Sequence, residues 1–253
     1  VAAWVAQNWG WRTALLIPTI GAAISWTIFM RFAYERPYDL GISRLGETEV
    51  QPSPKPPIEN FVLISFKALG TASGRPMFWF LVFTFAVCGI SSFGITQAHL
   101  APFCSDLGLT LSISAALLAL IGVFDLFGTI GSGWLSDRFD NLSLLVFYYL
   151  FRGLALVWLV SSNPSTSALV IFAVFYGLDF IATVPPTVKL TIKEFGDEYG
   201  PVVFAWIFTA HHIAAGLMLV LAGISRDLIG TYVPAFAIAG ILCVLAAGIL
   251  LVP

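Results

Sequence analysis

The chain is 253 residues long, 58% of them hydrophobic and only 10% charged. So few charges cannot cover a water-soluble domain of this size, and a net charge of −2 offers no basic surface to nucleic acid. Composition therefore puts the chain in a lipid bilayer and excludes a nucleic-acid partner. In chain order, apolar runs of roughly 20 residues, the length a helix needs to cross the hydrocarbon core, recur along the sequence. They predict spans at 13–32, 77–98, 111–135, 142–161, 166–188, 202–225 and 231–252. Residues 1–12 read as the tail of an earlier span and a turn. The apolar start at Val1 without an initiator Met leads us to expect a chain lacking its front end. Residues 34–76 are the one long polar stretch, and Pro52, Pro54, Pro56 and Pro57 predict an extended linker there. Asn163-Pro164, Gly200-Pro201 and Gly230-Thr231 are the expected turns between later spans.

Basic residues set the expected orientation. Arg36, Arg44, Lys55, Lys67 and Arg75 lie in the linker, and Arg138, Lys189 and Lys193 fall on the same side. Arg12 and Arg226 fall on the other, so the linker and the C-terminus are expected to be cytoplasmic. Cys88, Cys104 and Cys243 form no Cys-x-x-Cys pair and read as buried thiols. No cofactor or metal is implied. No nucleophile–base pair is visible either, so the chain is not expected to be an enzyme.

Ionisable residues inside spans are costly and mark function or pairing. Tyr176, Asp179, Thr183 and Pro186 recur at helical spacing and predict one polar face, a candidate substrate or proton path. Asp125 shares a stripe with Gly122, Thr129 and Ser132, which suits either proton and substrate handling or close helix packing. His211 and His212 point about 100° apart, so one of them can face a cavity. Adjacent histidines lack metal-ligand spacing. Arg152 is the basic residue deep in a span, and Asp125 or Asp179 is expected to neutralise it in a structural ion pair. His99, beside Gln97, is expected at an outer interface.

Between two of the apolar runs lies Gly131-Ser132-Gly133-Trp134-Leu135-Ser136-Asp137-Arg138-Phe139, which reads as a tight Gly-rich turn carrying an Asp-Arg pair. It resembles the G-x-L-x-D-R loop motif of the major facilitator superfamily of secondary transporters. Asn8-Trp9-Gly10-Trp11-Arg12 resembles the turn between spans five and six of that family. The resemblance implies an all-α membrane protein, the C-terminal six-helix half of a twelve-span fold plus span six. On that plan 1–12 is the tail of span five and its turn, 13–33 span six, 34–76 the central cytoplasmic linker, and 77–253 spans seven to twelve. The N-terminal half of the same carrier would be the partner.

Leu100-Ala101-Pro102-Phe103, Asp125, Pro185-Pro186, Ala210-His211-His212 and Gly223-Ile224-Ser225-Arg226-Asp227 resemble the monocarboxylate-transporter-like branch. Thr129 stands where branch members often carry an Arg, and Asp140-Asn141-Leu142-Ser143 replaces the usual basic end of the loop motif. The resemblance implies secondary active, proton-coupled transport of a small organic solute, a carboxylate or other anion, across a bacterial inner membrane by alternating access. Gly133, Asp137 and Arg138 would serve the conformational cycle. A non-transporting sensor on a carrier scaffold and an inactive truncated fragment are the alternatives.

Overall fold

The computed structural model describes residues 2–34, 37–43, 49–50, 61–162 and 164–251. These are helical nearly throughout, with no strand among them. The prolines at 52, 54, 56 and 57, with Arg36, Arg44, Lys55 and Asn163, lie outside the described residues. The chain divides into two compact units, residues 1–61 and 62–253.

In the first unit, α1 (Ala2–Trp9) and α2 (Trp11–Phe32) are separated at Gly10, whose φ of 84° suits glycine alone. The 22-residue α2 is long enough to cross a bilayer, and Ile24, Trp26, Phe29 and Met30 stand exposed on it. Such a surface is stable in lipid and not in water.

The second unit opens within α3 (Phe61–Ser73) and continues as α4 (Pro76–Asp106), α5 (Leu111–Ser136), α6 (Asn141–Ser161), α7 (Thr166–Asp179), α8 (Val184–Ile229) and α9 (Val233–Leu250). Local chemistry sets the starts. Thr110, Asp140 and Ser165 cap α5, α6 and α7 with side-chain oxygens on backbone N–H groups of the first turn. Pro76 opens α4 and Pro185-Pro186 open α8, where a missing N–H removes no helical bond. Gly230, left-handed at φ 83°, ends α8.

Two expectations are corrected here. The linker expected to be extended from 34 to 76 holds α3. No proline interrupts residues 61–73, and Ala68 and Ala72 bury fully against the bundle. The spans expected at 166–188 and 202–225 meet at Gly196 rather than at Gly200-Pro201. The 64 residues from Thr166 to Ile229 would reach about 96 Å as one straight helix, three times the hydrocarbon thickness. The chain instead reverses at Gly196, with φ 80° and ψ 168°. Along α4, partners on α8 fall from Phe195 beside Phe78 to Thr183 beside Cys88. They then rise from Phe204 beside Phe85, through His211 beside Gly89, to Arg226 beside Asp106. Residues 184–195 thus run antiparallel to α4 and 197–229 parallel to it, and this stretch supplies two crossings.

Glycines set the closest helix approaches, as expected where lipid gives no hydrophobic drive between helices. A Cβ on Gly128 of α5 would lie 1.9 Å from the Leu178 carbonyl oxygen of α7, and Gly153 of α6 faces Gly240 of α9. Gly122, expected to pack closely, has open space around it. Gly131 and Gly133, expected in a turn, are helical residues of α5 with nothing against them. The turn itself begins only at Asp137.

Candidate functional site

The middle of α4 departs from α-geometry, and residues Ile90–Gln97 form a π-helical segment. Wider turns of this kind are frequent at functional sites, and they re-aim side chains within a span. Here they present Phe93, Thr96 and Gln97 to a cavity of about 330 Å³, closed on the far side by Asp125 and Gly122 of α5 and by Phe180 and Ile181. Residues 180–183 form a non-helical turn between α7 and α8. Asp125 holds that turn: its Oδ1 accepts from the Ile181 N–H at 3.0 Å and from Thr129 Oγ1 at 3.2 Å. Ser132, one helical turn further, donates to the Ala182 carbonyl at 2.5 Å. The stripe Asp125, Thr129, Ser132 therefore binds the break in the neighbouring span.

Behind this turn lies a closed polar nest. Arg152 is fully buried and its Nε donates to Asp179 Oδ2 at 2.6 Å. Its other nitrogens donate to the main-chain carbonyls of Asp179 and Phe180, the latter at 3.1 Å, and to Cys88 Sγ at 3.1 Å. Among the described residues Asp179 Oδ1 has no partner. Tyr176 Oη donates to the Ser91 carbonyl at 2.7 Å and lies 3.0 Å from Thr96 Oγ1, while Thr183 Oγ1 lies 3.2 Å from Cys88 Sγ. Tyr176, Asp179 and Thr183 are thus brought together. They are buried, however, and the continuous helical face expected from 176 to 186 is interrupted by the turn at 180–183, where Thr183 sits. Of the two candidate partners for Arg152, the structure pairs it with Asp179.

His211 is buried, with Nδ1 3.1 Å from the Phe85 carbonyl, and its ring stacks on Phe208. His212 is exposed, its Nδ1 3.0 Å from the Phe208 carbonyl and its ring 6.4 Å from that of Phe93. A carbonyl only accepts, so Nδ1 carries the hydrogen in both, and a neutral ring keeps Nε2 as an acceptor. His99 Nε2 reaches the Leu219 carbonyl at 3.1 Å.

Ion pairs mark the two ends of the bundle. At one end Asp137 pairs with Lys189, and Arg75 with Glu194 at 3.0 Å. Lys189 beside it holds the Asp137 carboxyl below its ordinary range. Arg138 turns back over the Trp134 ring, 4.1 Å from its centroid, rather than bridging helices. Asp140 caps α6, and the Ser143 N–H at 2.8 Å keeps its carboxyl low as well. At the other end Arg226 grips Asp106 with two bonds of 2.9 Å.

Sequence reading missed Phe93, Gln97 and Cys88 as site residues, along with Lys189 as the partner of Asp137. One signal was present: Ser91-Ser92-Phe93-Gly94-Ile95-Thr96-Gln97 is a polar interruption in the middle of an apolar run.

Among known proteins, no curated relative matches this chain. The family model described as Major Facilitator Superfamily matches residues 1–219. That match takes in the loop at Asp137, both halves of the cavity wall and the Arg152–Asp179 pair, and with the apolar helices it makes the chain an integral multi-pass membrane protein. The chain belongs to the major facilitator superfamily of membrane transporters.

Proposed function

We propose that this chain forms the C-terminal six-helix half of a secondary active carrier for a small organic solute, with residues 11–32 as span six. The cavity beside Asp125 is its share of the solute path. The observation that carries the reading is the position of that cavity. It lies between a π-distorted span and a broken one, both held by polar contacts that a small rearrangement would exchange. Phe93, Gln97 and His212 are exposed on this side, and a facing six-helix half would close over them in the alternating-access cycle. Proton coupling is assigned to the Arg152–Asp179 pair, where the unpartnered Oδ1 can accept a proton and release the arginine. Asp137 and Lys189 latch one end of the cycle.

Uptake by cells tests this reading. Cells expressing the chain together with a facing six-helix half are incubated with a mixture of small solutes, and their contents are compared by mass spectrometry with cells in which the chain carries Gly122→Phe. Gly122 lines the cavity and a Cβ there meets no atom within 4 Å, so a bulky side chain at this position narrows the path. At least one solute should accumulate only with the parent chain. Identical contents would leave a sensor or an inactive product as the better account.

A further inference from the structure

We infer that the solute is a hydrogen-bond donor carrying positive charge, an organic ammonium, rather than a carboxylate. This inference rests on the cavity beside Asp125 being the solute site. None of the residues lining it is basic, and its one charged group is the Asp125 carboxylate. Thr129, one turn from Asp125, donates to its Oδ1 at 3.2 Å and brings no positive charge to the site. The nearest buried cation is Arg152, whose guanidinium is already spent on Asp179, two carbonyls and Cys88.

The remaining polar groups can receive a donor. Among the described residues both hydrogen bonds at Asp125 fall on Oδ1, which leaves Oδ2 to receive an ammonium. Gln97 offers an amide oxygen to the cavity, and outside its lining the exposed His212 ring lies 6.4 Å from that of Phe93. The walls are aromatic: Phe93 and Phe180 pack on each other at 5.7 Å, tilted, and both line the cavity, where a cation laid against a ring face gains from its quadrupole. A carboxylate placed in the same space would meet Asp125 at close range in low dielectric with nothing to neutralise it. The volume of about 330 Å³ admits an amine with a short aliphatic or single-ring body.

The test is equilibrium binding to the full chain in lipid nanodiscs, read by tryptophan fluorescence and repeated by calorimetry. Three probes of one shape are compared: 2-phenylethylammonium, 2-phenylethanol and 3-phenylpropionate. The ammonium should bind best and the carboxylate at least about tenfold more weakly. Asp125→Asn keeps an oxygen for Ile181 and Thr129, so the turn survives, and it should cost the ammonium about tenfold while leaving the alcohol nearly unchanged. Gly122→Phe should abolish binding of all three.

Carboxylate binding equal to or tighter than ammonium binding, and lost in Gly122→Phe, would overturn the cationic assignment while keeping the cavity as the solute site. Ammonium binding that Asp125→Asn leaves untouched would overturn it as well. Binding of any probe that Gly122→Phe does not affect, or no binding by any probe, would overturn the cavity as the site and the assignment with it.

Discussion

Replacing Arg152 with methionine removes a guanidinium that bridges α4, α6 and the turn after α7 through Cys88, Asp179 and Phe180. Asp179 would then be a buried carboxylate without a counter-charge. Breaking one side of such a pair typically costs about 3–5 kcal/mol, more than removing both sides together. Arg152→Met should therefore lower the unfolding midpoint in detergent markedly, and adding Asp179→Leu should recover part of the loss. Recovery stays incomplete because the Phe180 carbonyl also loses its donor. An Arg152→Met protein as stable as the parent would contradict the pair's role in holding the turn. At the surface the logic is one of pH. Lys189 depresses the Asp137 carboxyl in the folded protein, so the pair adds stability at and above the ordinary carboxylate value of 3.8. That contribution disappears as pH falls through the lower, folded value. Protection from hydrogen exchange in residues 184–195, taken relative to the intrinsic rate at each pH, should accordingly fall in strong acid, and Asp137→Asn should show the lower protection already at neutral pH. A parent and variant with equal exchange at neutral pH would deny the latch.

Glycines at the scale of the helix divide into two kinds that sequence alone does not separate. Gly128 meets the α7 backbone, so Gly128→Ala must push α5 and α7 apart, at a cost of about 1–3 kcal/mol. Gly133 is helical and open, so Gly133→Ala should keep or raise stability, because alanine favours a helix by up to about 1 kcal/mol. Thermal unfolding of the two variants side by side decides between them, and equal destabilisation would refute the distinction. If Gly133→Ala is stable yet lowers uptake, the motif glycine works in another state of the cycle. Much of the element plan was legible from hydropathy, since length and apolarity suffice to mark a span. The reversal at Gly196 was not, because Gly200-Pro201 nearby carries the stronger turn signal and backbone dihedrals leave no mark on composition. The π-segment was likewise hidden: a 4-residue and a 5-residue hydrogen bond need no different residue types. Asp179 and Arg152 were legible as charges in spans, but two aspartates were open to Arg152 until the fold placed Cys88 and the turn around it. Gln97 and Phe93 became site residues only through the direction the π-turns give them.

Across the whole bundle, charge is unevenly spread between the ends marked by Asp137 and Asp106. Lys67, Arg75, Arg138, Lys189 and Lys193 lie towards the first, and Arg226 lies at the second. Trp79 and Trp134, exposed near Arg75 and Arg138, suit the headgroup level at the same end. Short loops rich in Lys and Arg stay on the cytoplasmic side during insertion, so the Asp137 end is expected to face the cytoplasm. Single-cysteine labelling in intact cells checks this directly. The native thiols Cys88, Cys104 and Cys243 are buried and give little background. Phe139→Cys and Leu107→Cys place exposed thiols at opposite ends without touching either ion pair. A membrane-impermeant maleimide should modify Leu107→Cys in intact cells and reach Phe139→Cys only after the membrane is opened. Labelling in the reverse order would invert the bundle.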